Sequence, residues 1–129
     1  MSRAKMAGAT PAEGEIRRLW PAEREVFKAH LLRLDAEPRR ERFGTAVNDG
    51  FLVSYAETTF GVGGLVYAYV EAGEVRGAAE LRGLEDIVAQ TGEAAFSVER
   101  AWRRQGIGEQ LFGRLITAAR NRGIRTLYM

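Results

Sequence analysis

One stretch constrains the fold more than any other. Glu93-Ala-Ala-Phe-Ser-Val98 reads as a strand and Arg103-Arg-Gln-Gly-Ile-Gly108 as a loop, while Ile107, Leu111, Leu115 and Ala118 recur at the spacing of one helical face. A strand that turns through glycines into an amphipathic helix must pack the apolar face of that helix back on a sheet. Glycines at 106 and 108 let the backbone turn tightly and let a ligand approach the main chain. The first amides of the helix have no intrahelical partner, and the helix dipole adds a partial charge of roughly +0.5 at that end. Such an end binds anions, and Arg103 and Arg104 set full positive charges beside it. The ligand expected there carries a pyrophosphate or a similar group.

Two familiar phosphate loops fit badly. A dinucleotide fingerprint needs a third glycine where Leu111 stands. Gly108 and Gly113 have Walker spacing, but Arg114 and Leu115 replace the Lys-Ser/Thr pair and lie within the helical stripe. What fits is Arg-x-x-Gly-x-Gly at Arg103, Gly106 and Gly108. The charge balance points to a local site. Residues 1–95 carry 12 basic and 15 acidic side chains, whereas 96–129 carry seven Arg against two Glu, for a net charge of only +2. The basic segment lacks interleaved exposed aromatics, so no nucleic acid is expected as a partner. Arg114, Arg120, Arg122 and Arg125 read mainly as a solvated face.

The rest of the chain narrows the class. A composition of 46% hydrophobic and 28% charged residues over 129 positions is that of one globular domain. The absence of Cys removes a disulfide framework, a thiolate nucleophile and Cys-ligated metal, and the single His30 removes His-rich metal sites, so no metal is expected. The longest apolar run, 61–70, is too short to span a bilayer, and no membrane partner is expected. Residues 1–14 lack the apolar core of a secretory signal and read as a flexible tail, with the domain over 15–129 and the cytoplasm as the expected compartment.

A coarse pass gives the element order. Glu15–Trp20 is a strand stopped by Pro21, which suits the first turn of a helix. Val26, Phe27, His30, Leu31 and Leu34 share one helical face, and Pro38 breaks that pattern. A second helix is expected near 48–59, capped by Asn48 or Asp49, with Phe51, Leu52 and Tyr55 turned inward. Residues 65–81 read as a hairpin about Ala72-Gly73, followed by a loop over 83–91 and the strand at 93–98. The helix that opens near Gly106 closes at Gly123, and Ile124–Met129 forms a last strand. The order β-α-α-β-β-β-α-β predicts an α/β (α+β) fold, a mixed sheet with helices packed on it.

With these residues in place, the sequence resembles the GNAT superfamily of acetyl-CoA-dependent N-acyltransferases. Its signature, Gln/Arg-x-x-Gly-x-Gly/Ala between the fourth strand and the following helix, is matched at every fixed position by Arg103, Gly106 and Gly108. Val98, the aromatic Trp102, Leu111-Phe112 and the turn Asn121-Arg122-Gly123-Ile124 extend the resemblance over about 65–129, while 15–60 agree in element order alone. The resemblance implies a mostly antiparallel sheet with helices on both faces and a fifth strand splayed from the fourth. It also implies a further helix and two strands after the fifth strand, so the chain reads as a C-terminally incomplete domain.

The resemblance implies a site as well. Acetyl-CoA, leaving as CoA, would pair its pantetheine arm with the backbone of Phe96, Ser97 and Val98. Its pyrophosphate would lie on the amides of Arg104, Gln105, Gly106, Ile107, Gly108 and Glu109, with Arg103 nearby. An amide near Val98 would polarise the thioester carbonyl. Glu93 is the first candidate for the base and Glu80 the second, Glu93 alternating with Ala95 and Ser97 unless a bulge reverses its face. His30 reads as a packed or rim histidine, with an acceptor-side role as the lesser reading; Tyr55, Tyr67 and Tyr69 read as packing residues, and Tyr128 lies too early for the family's thiolate-protonating tyrosine. The expected activity is acetyl transfer to a primary amine of a small molecule or peptide. A non-catalytic acyl-CoA-binding module is the alternative, and a homodimer is a further expectation.

Overall fold

The computed structural model describes residues 14–61, 64–83 and 90–129. Strand β1 is Glu15–Leu19, and a single 3-10 turn at Pro21–Glu23 leads into helix α1, Arg24–Arg33. Helices α2 (Ala36–Phe43) and α3 (Asp49–Thr59) follow. Strands β2 (Leu65–Glu71), β3 (Glu74–Arg82) and β4 (Thr91–Val98) precede helix α4 (Ile107–Asn121) and strand β5 (Thr126–Tyr128). The sheet order is β1-β2-β3-β4-β5, antiparallel throughout except for the parallel pair β4·β5.

Three helices rather than two separate β1 from β2, and Pro38 is the reason for the difference. It is the third residue of α2, where its missing N–H would have had no partner inside the helix, so it is accommodated in the first turn. Arg39 ties α2 to its predecessor. Its guanidinium donates to the carbonyls of Leu32 and Leu34 at 2.9 and 2.8 Å, satisfying acceptors at the end of α1. Gly44 then stops α2 in the left-handed conformation at φ +77°.

The cap of α3 is Asn48, whose Oδ1 accepts from the Phe51 amide at 2.8 Å. Leu52, Ala56 and Thr59 form its buried face. Phe51, expected inward, stands one position round the helix and is exposed; its ring packs edge-on against Phe43 of α2 and stacks on Tyr55. The hairpin forms as expected, with Ala72 (φ +53°) and Gly73 (φ +78°) as its two-residue turn.

The sheet is covered on both faces. Leu19, Val66, Ala68 and Ala78 pack against Phe27, Leu31 and Leu52 of α1 and α3. Ala79, Leu81 and Ala94 pack against Ile107, Leu111 and Leu115 of α4. Gly77 lets α4 approach closely, since a Cβ there would stand 3.2 Å from Ile107 and 3.3 Å from Leu111. After α4, the amides of Gly123 and Ile124 donate to the carbonyls of Arg120 and Ala119, a Schellman closure with Gly123 at φ +80°. That closure uses Ile124, so β5 pairs from Thr126 rather than from 124. Most of the expected tail, residues 1–13, and most of the expected loop, 84–89, lie outside the described residues. Gly14 is described and abuts the Tyr69 ring. Among the described residues no helix is long and apolar enough to cross a membrane.

Candidate cofactor cleft and acceptor cavity

The site grows from the free edge of β4. Glu99 N–H donates to Arg76 O at 2.9 Å, and antiparallel ladders alternate, so Ser97, Ala95 and Glu93 also turn their backbone groups toward β3. The N–H groups of Ala94, Phe96 and Val98 therefore point the other way. There β5 pairs only with Thr91–Glu93, which leaves 94–98 without a partner strand among the described residues. The splay that the resemblance implied is present.

Beyond Val98 the loop is shaped to end at a helix N-terminus. Trp102 anchors it: its Nε1 donates to Glu71 at 3.2 Å, and Arg76 lies 4.2 Å over its ring. Arg103 Nε donates to Val98 O at 3.1 Å, and its Nη2 reaches Glu41 of α2 at 3.5 Å. Arg104 (φ +62°) and Gly106 (φ +79°) are both left-handed, and the first helical bond is Gln110 N to Gly106 O. The amides of Ile107, Gly108 and Glu109 at the start of α4 consequently have no backbone partner among the described residues.

A cleft of about 330 Å³ lies along this edge between α2 and α4, lined by Phe96, Ser97 and Val98 with Arg103, Arg104, Ile107 and Gly108. Of the residues expected to hold a cofactor, these seven meet in one place. Gln105, Gly106 and Glu109 contribute no lining surface; Gly106 sets the turn, and the Gln105 side chain donates to Ala101 O at 3.1 Å. Arg114, Arg120, Arg122 and Arg125 are exposed and away from the cleft, as a solvated face should be. The cleft suits the phosphates and amide-bearing arm of CoA: unpaired amides at a helix start, two arginines, a free strand edge, and a Gly108 whose Cβ direction is open.

A second cavity of about 380 Å³, lined in part by Ala94 and Ala95 of β4, shares Arg42 with the first. It is lined by Tyr55, Glu80, Arg82, Glu93 and Tyr128 among others. Glu80 is wholly buried. Arg42 Nη2 donates to its Oε1 at 2.9 Å, and the Tyr55 hydroxyl donates to the same oxygen. Burial, and then the Glu80 charge, push the Tyr55 phenol well above its ordinary range, so it stays protonated as a donor. Tyr55 is thus a site residue as well as a packing one. Glu93 lies directly opposite Arg82 in the β3·β4 register and opposite Tyr128 across β5. That register is unbroken, so no bulge reverses its face, and Glu93 makes no ion pair among the described residues.

Sequence reasoning overlooked Glu99, Arg42 and Arg82. Glu99 organises the other side of β4: His30 is wholly buried, with Nδ1 2.9 Å from Glu99 Oε2 and Nε2 2.8 Å from Ser97 Oγ. Arg33 and Arg76 donate to the same carboxylate. Burial opposes its charge, but His30 and the two arginines outweigh it and hold Glu99 below the ordinary carboxylate range. This strut joins α1 to the end of β4, and His30 is a packed histidine. For Arg42 a weak sequence signal existed in its eventual partner, because Glu80 is a lone carboxylate in the otherwise small and apolar run Gly77-Ala-Ala-Glu-Leu81.

A sheet with one parallel strand pair splayed beside a helix start is the arrangement that the resemblance to the acyltransferases implied. The chain is a member of the acetyltransferase (GNAT) family, whose model matches residues 15–129. Its fold is similar to the GNAT domain of S. lividans PAT, with a TM-score of 0.70, 21% identity, and coverage of 87% of this chain and 68% of that one. The aminoglycoside N-acetyltransferase AAC(6')-Iy in complex with CoA superposes with a TM-score of 0.67 at 15% identity, covering 92% and 77%. An aminoglycoside acetyltransferase from an uncultured soil metagenomic sample, in complex with sisomicin, gives 0.62 at 18%, covering 89% and 75%. No curated protein sequence matches this one.

Proposed function

We propose that the chain is an N-acetyltransferase that uses acetyl-CoA and delivers the acetyl group to a primary amine bound in the second cavity. The observation that carries this reading is that two cavities flank β4 and share Arg42, one with phosphate-binding chemistry and the other with a carboxylate that no arginine occupies among the described residues. Acetyl-CoA, when bound, supplies an acyl group activated as a thioester. The residues that hold it are Arg103, Arg104 and the amides at the start of α4 for the phosphates, with the outward N–H groups of Phe96 and Val98 for the arm. Those outward amides also offer preorganised donors to a carbonyl oxygen.

Glu93 is the general base in this reading. An amine must lose a proton to react, and Glu93 is the carboxylate of the cavity whose oxygens no arginine occupies among the described residues. Glu80 is a positioning residue instead: its oxygen is taken by Arg42 and Tyr55, and it holds α2 and α3 against β3 at the cavity wall.

Two measurements test the reading. Calorimetric titration with acetyl-CoA should show saturable binding to the folded protein, and free thiol should be released when amines are added. Absence of binding at millimolar acetyl-CoA would refute the cofactor site. Binding without thiol release from any amine would refute the transferase reading and leave an acyl-CoA-binding module.

A further inference from the structure

We infer that the acceptor is a free α-amino acid, its carboxylate held by Arg82 and its amine turned toward Glu93. This rests on the reading above that the chain acylates an amine. The second cavity contains two guanidinium groups and two carboxylates, but they are not equivalent. Arg42 is committed through Nε and Nη2 to Glu80, and Glu80 in turn is occupied by Arg42 and Tyr55. That leaves Arg82 and Glu93 as the charges with unused capacity facing the cavity among the described residues.

Arg82 is placed to receive a carboxylate. About a third of its side chain is open (35%), and its guanidinium lies 4.5 Å over the Tyr55 ring, which fixes the plane of the fork. Its Nη2 donates to the neutral Thr59 Oγ1 at 3.2 Å and stands 3.7 Å from Glu80, beyond hydrogen-bonding reach. Nε is buried without a hydrogen-bond partner among the described residues, so the donors open to a ligand are those of Nη1 and Nη2. A planar guanidinium with donors to spare is suited to a carboxylate, which it can bind through two parallel bonds.

The spacing selects the class of amine. Arg82 and Glu93 are direct cross-strand partners on one face of the sheet, a relation that brings Cβ atoms within about 5 Å. A guanidinium and a carboxylate that rise from neighbouring positions on one face, and that are not paired with each other among the described residues, suit a ligand whose amine and carboxylate are separated by a single carbon. A polycationic aminoglycoside would meet one free carboxylate and a guanidinium in the same cavity, which disfavours it by like-charge repulsion.

The test uses the full chain with acetyl-CoA, the common α-amino acids, their carboxamides, and kanamycin, reading thiol release. The expected result is at least one amino acid whose kcat/KM exceeds that of its carboxamide by about 10- to 100-fold, the range for a charge-assisted hydrogen bond. Arg82→Met should abolish that preference by raising KM for the acid alone, with Arg82→Lys intermediate. Equal use of acid and carboxamide, an equal effect of Arg82→Met on both, or preference for kanamycin would overturn the inference. Calorimetry of amino acids on the CoA-loaded protein separates the two readings. Arg82-dependent binding without turnover refutes acyl transfer and keeps the carboxylate site, whereas neither binding nor turnover refutes both.

Discussion

Replacing Glu80 by leucine should damage the fold more than most single changes, and replacing Arg42 by methionine as well should restore most of the loss. The Glu80 side chain is wholly buried and the Arg42 side chain is 11% exposed. Removing one partner of a buried pair leaves the other charge uncompensated, at a cost of about 3–5 kcal/mol. Arg42 borders both cavities and can turn toward water, which favours the lower end, about 3 kcal/mol. Against a total stability of about 5–15 kcal/mol, that is a large fraction. For a domain of this size it corresponds to a fall in Tm of about 10 °C. In Arg42→Met/Glu80→Leu no buried charge remains at this position, and the freed Tyr55 hydroxyl is half-buried at the cavity and within reach of water. The double variant should lie within about 1 kcal/mol of the parent, because apolar residues of similar volume replace buried ion pairs at little or no loss. Urea unfolding of the parent, both single variants and the double variant closes the cycle. If the double variant loses the sum of the two single losses, the pair is not coupled and the account of Glu80 as a buried, arginine-compensated carboxylate is wrong.

Three further outcomes are expected. Gly108→Ala should raise stability by about 0.5–1 kcal/mol, since its Cβ meets nothing and alanine favours a helix, while weakening acetyl-CoA binding about 10-fold or more in calorimetry by crowding the phosphates. Glu99 is held below the ordinary carboxylate value of 4.5, so the stability it contributes is complete above pH 4.5 and is lost as pH falls through its lowered value. Glu99→Gln should accordingly flatten the acid limb in thermal melts and lose about 2 kcal/mol at pH 7. Glu93→Gln should reduce kcat/KM by about 10²- to 10⁴-fold with acetyl-CoA affinity unchanged, as removal of a general base requires; unchanged turnover would eliminate Glu93 from the chemistry.

What could be read from the sequence was what contiguous residues encode. The path from β4 through Trp102, Arg103 and Gly106 into α4 is local, because a strand edge, a left-handed glycine and unpaired helix amides need no distant partner. The hairpin about Ala72-Gly73 and the closure of α4 at Gly123 were legible for the same reason, each being set by the conformations its own residues prefer. Pro38 and Phe51 misled where the meaning of a residue depends on its place within a helix. A proline ends a helix that is under way but is harmless in the first turn of the next, and one position of rotation takes Phe51 from the core to the α2 interface.

The tertiary structure alone decided which charges are spent. Glu80 meets Arg42 from 38 positions away and Tyr55 from 25, while Glu99 meets His30 from 69. No periodicity or motif records such meetings, since they follow from how α1, α2 and α3 lie across the sheet. Their consequence is chemical. Two carboxylates that look alike in sequence are separated by their surroundings, Glu80 being compensated and buried while Glu93 makes no ion pair among the described residues, and the proposed acceptor site rests on that difference.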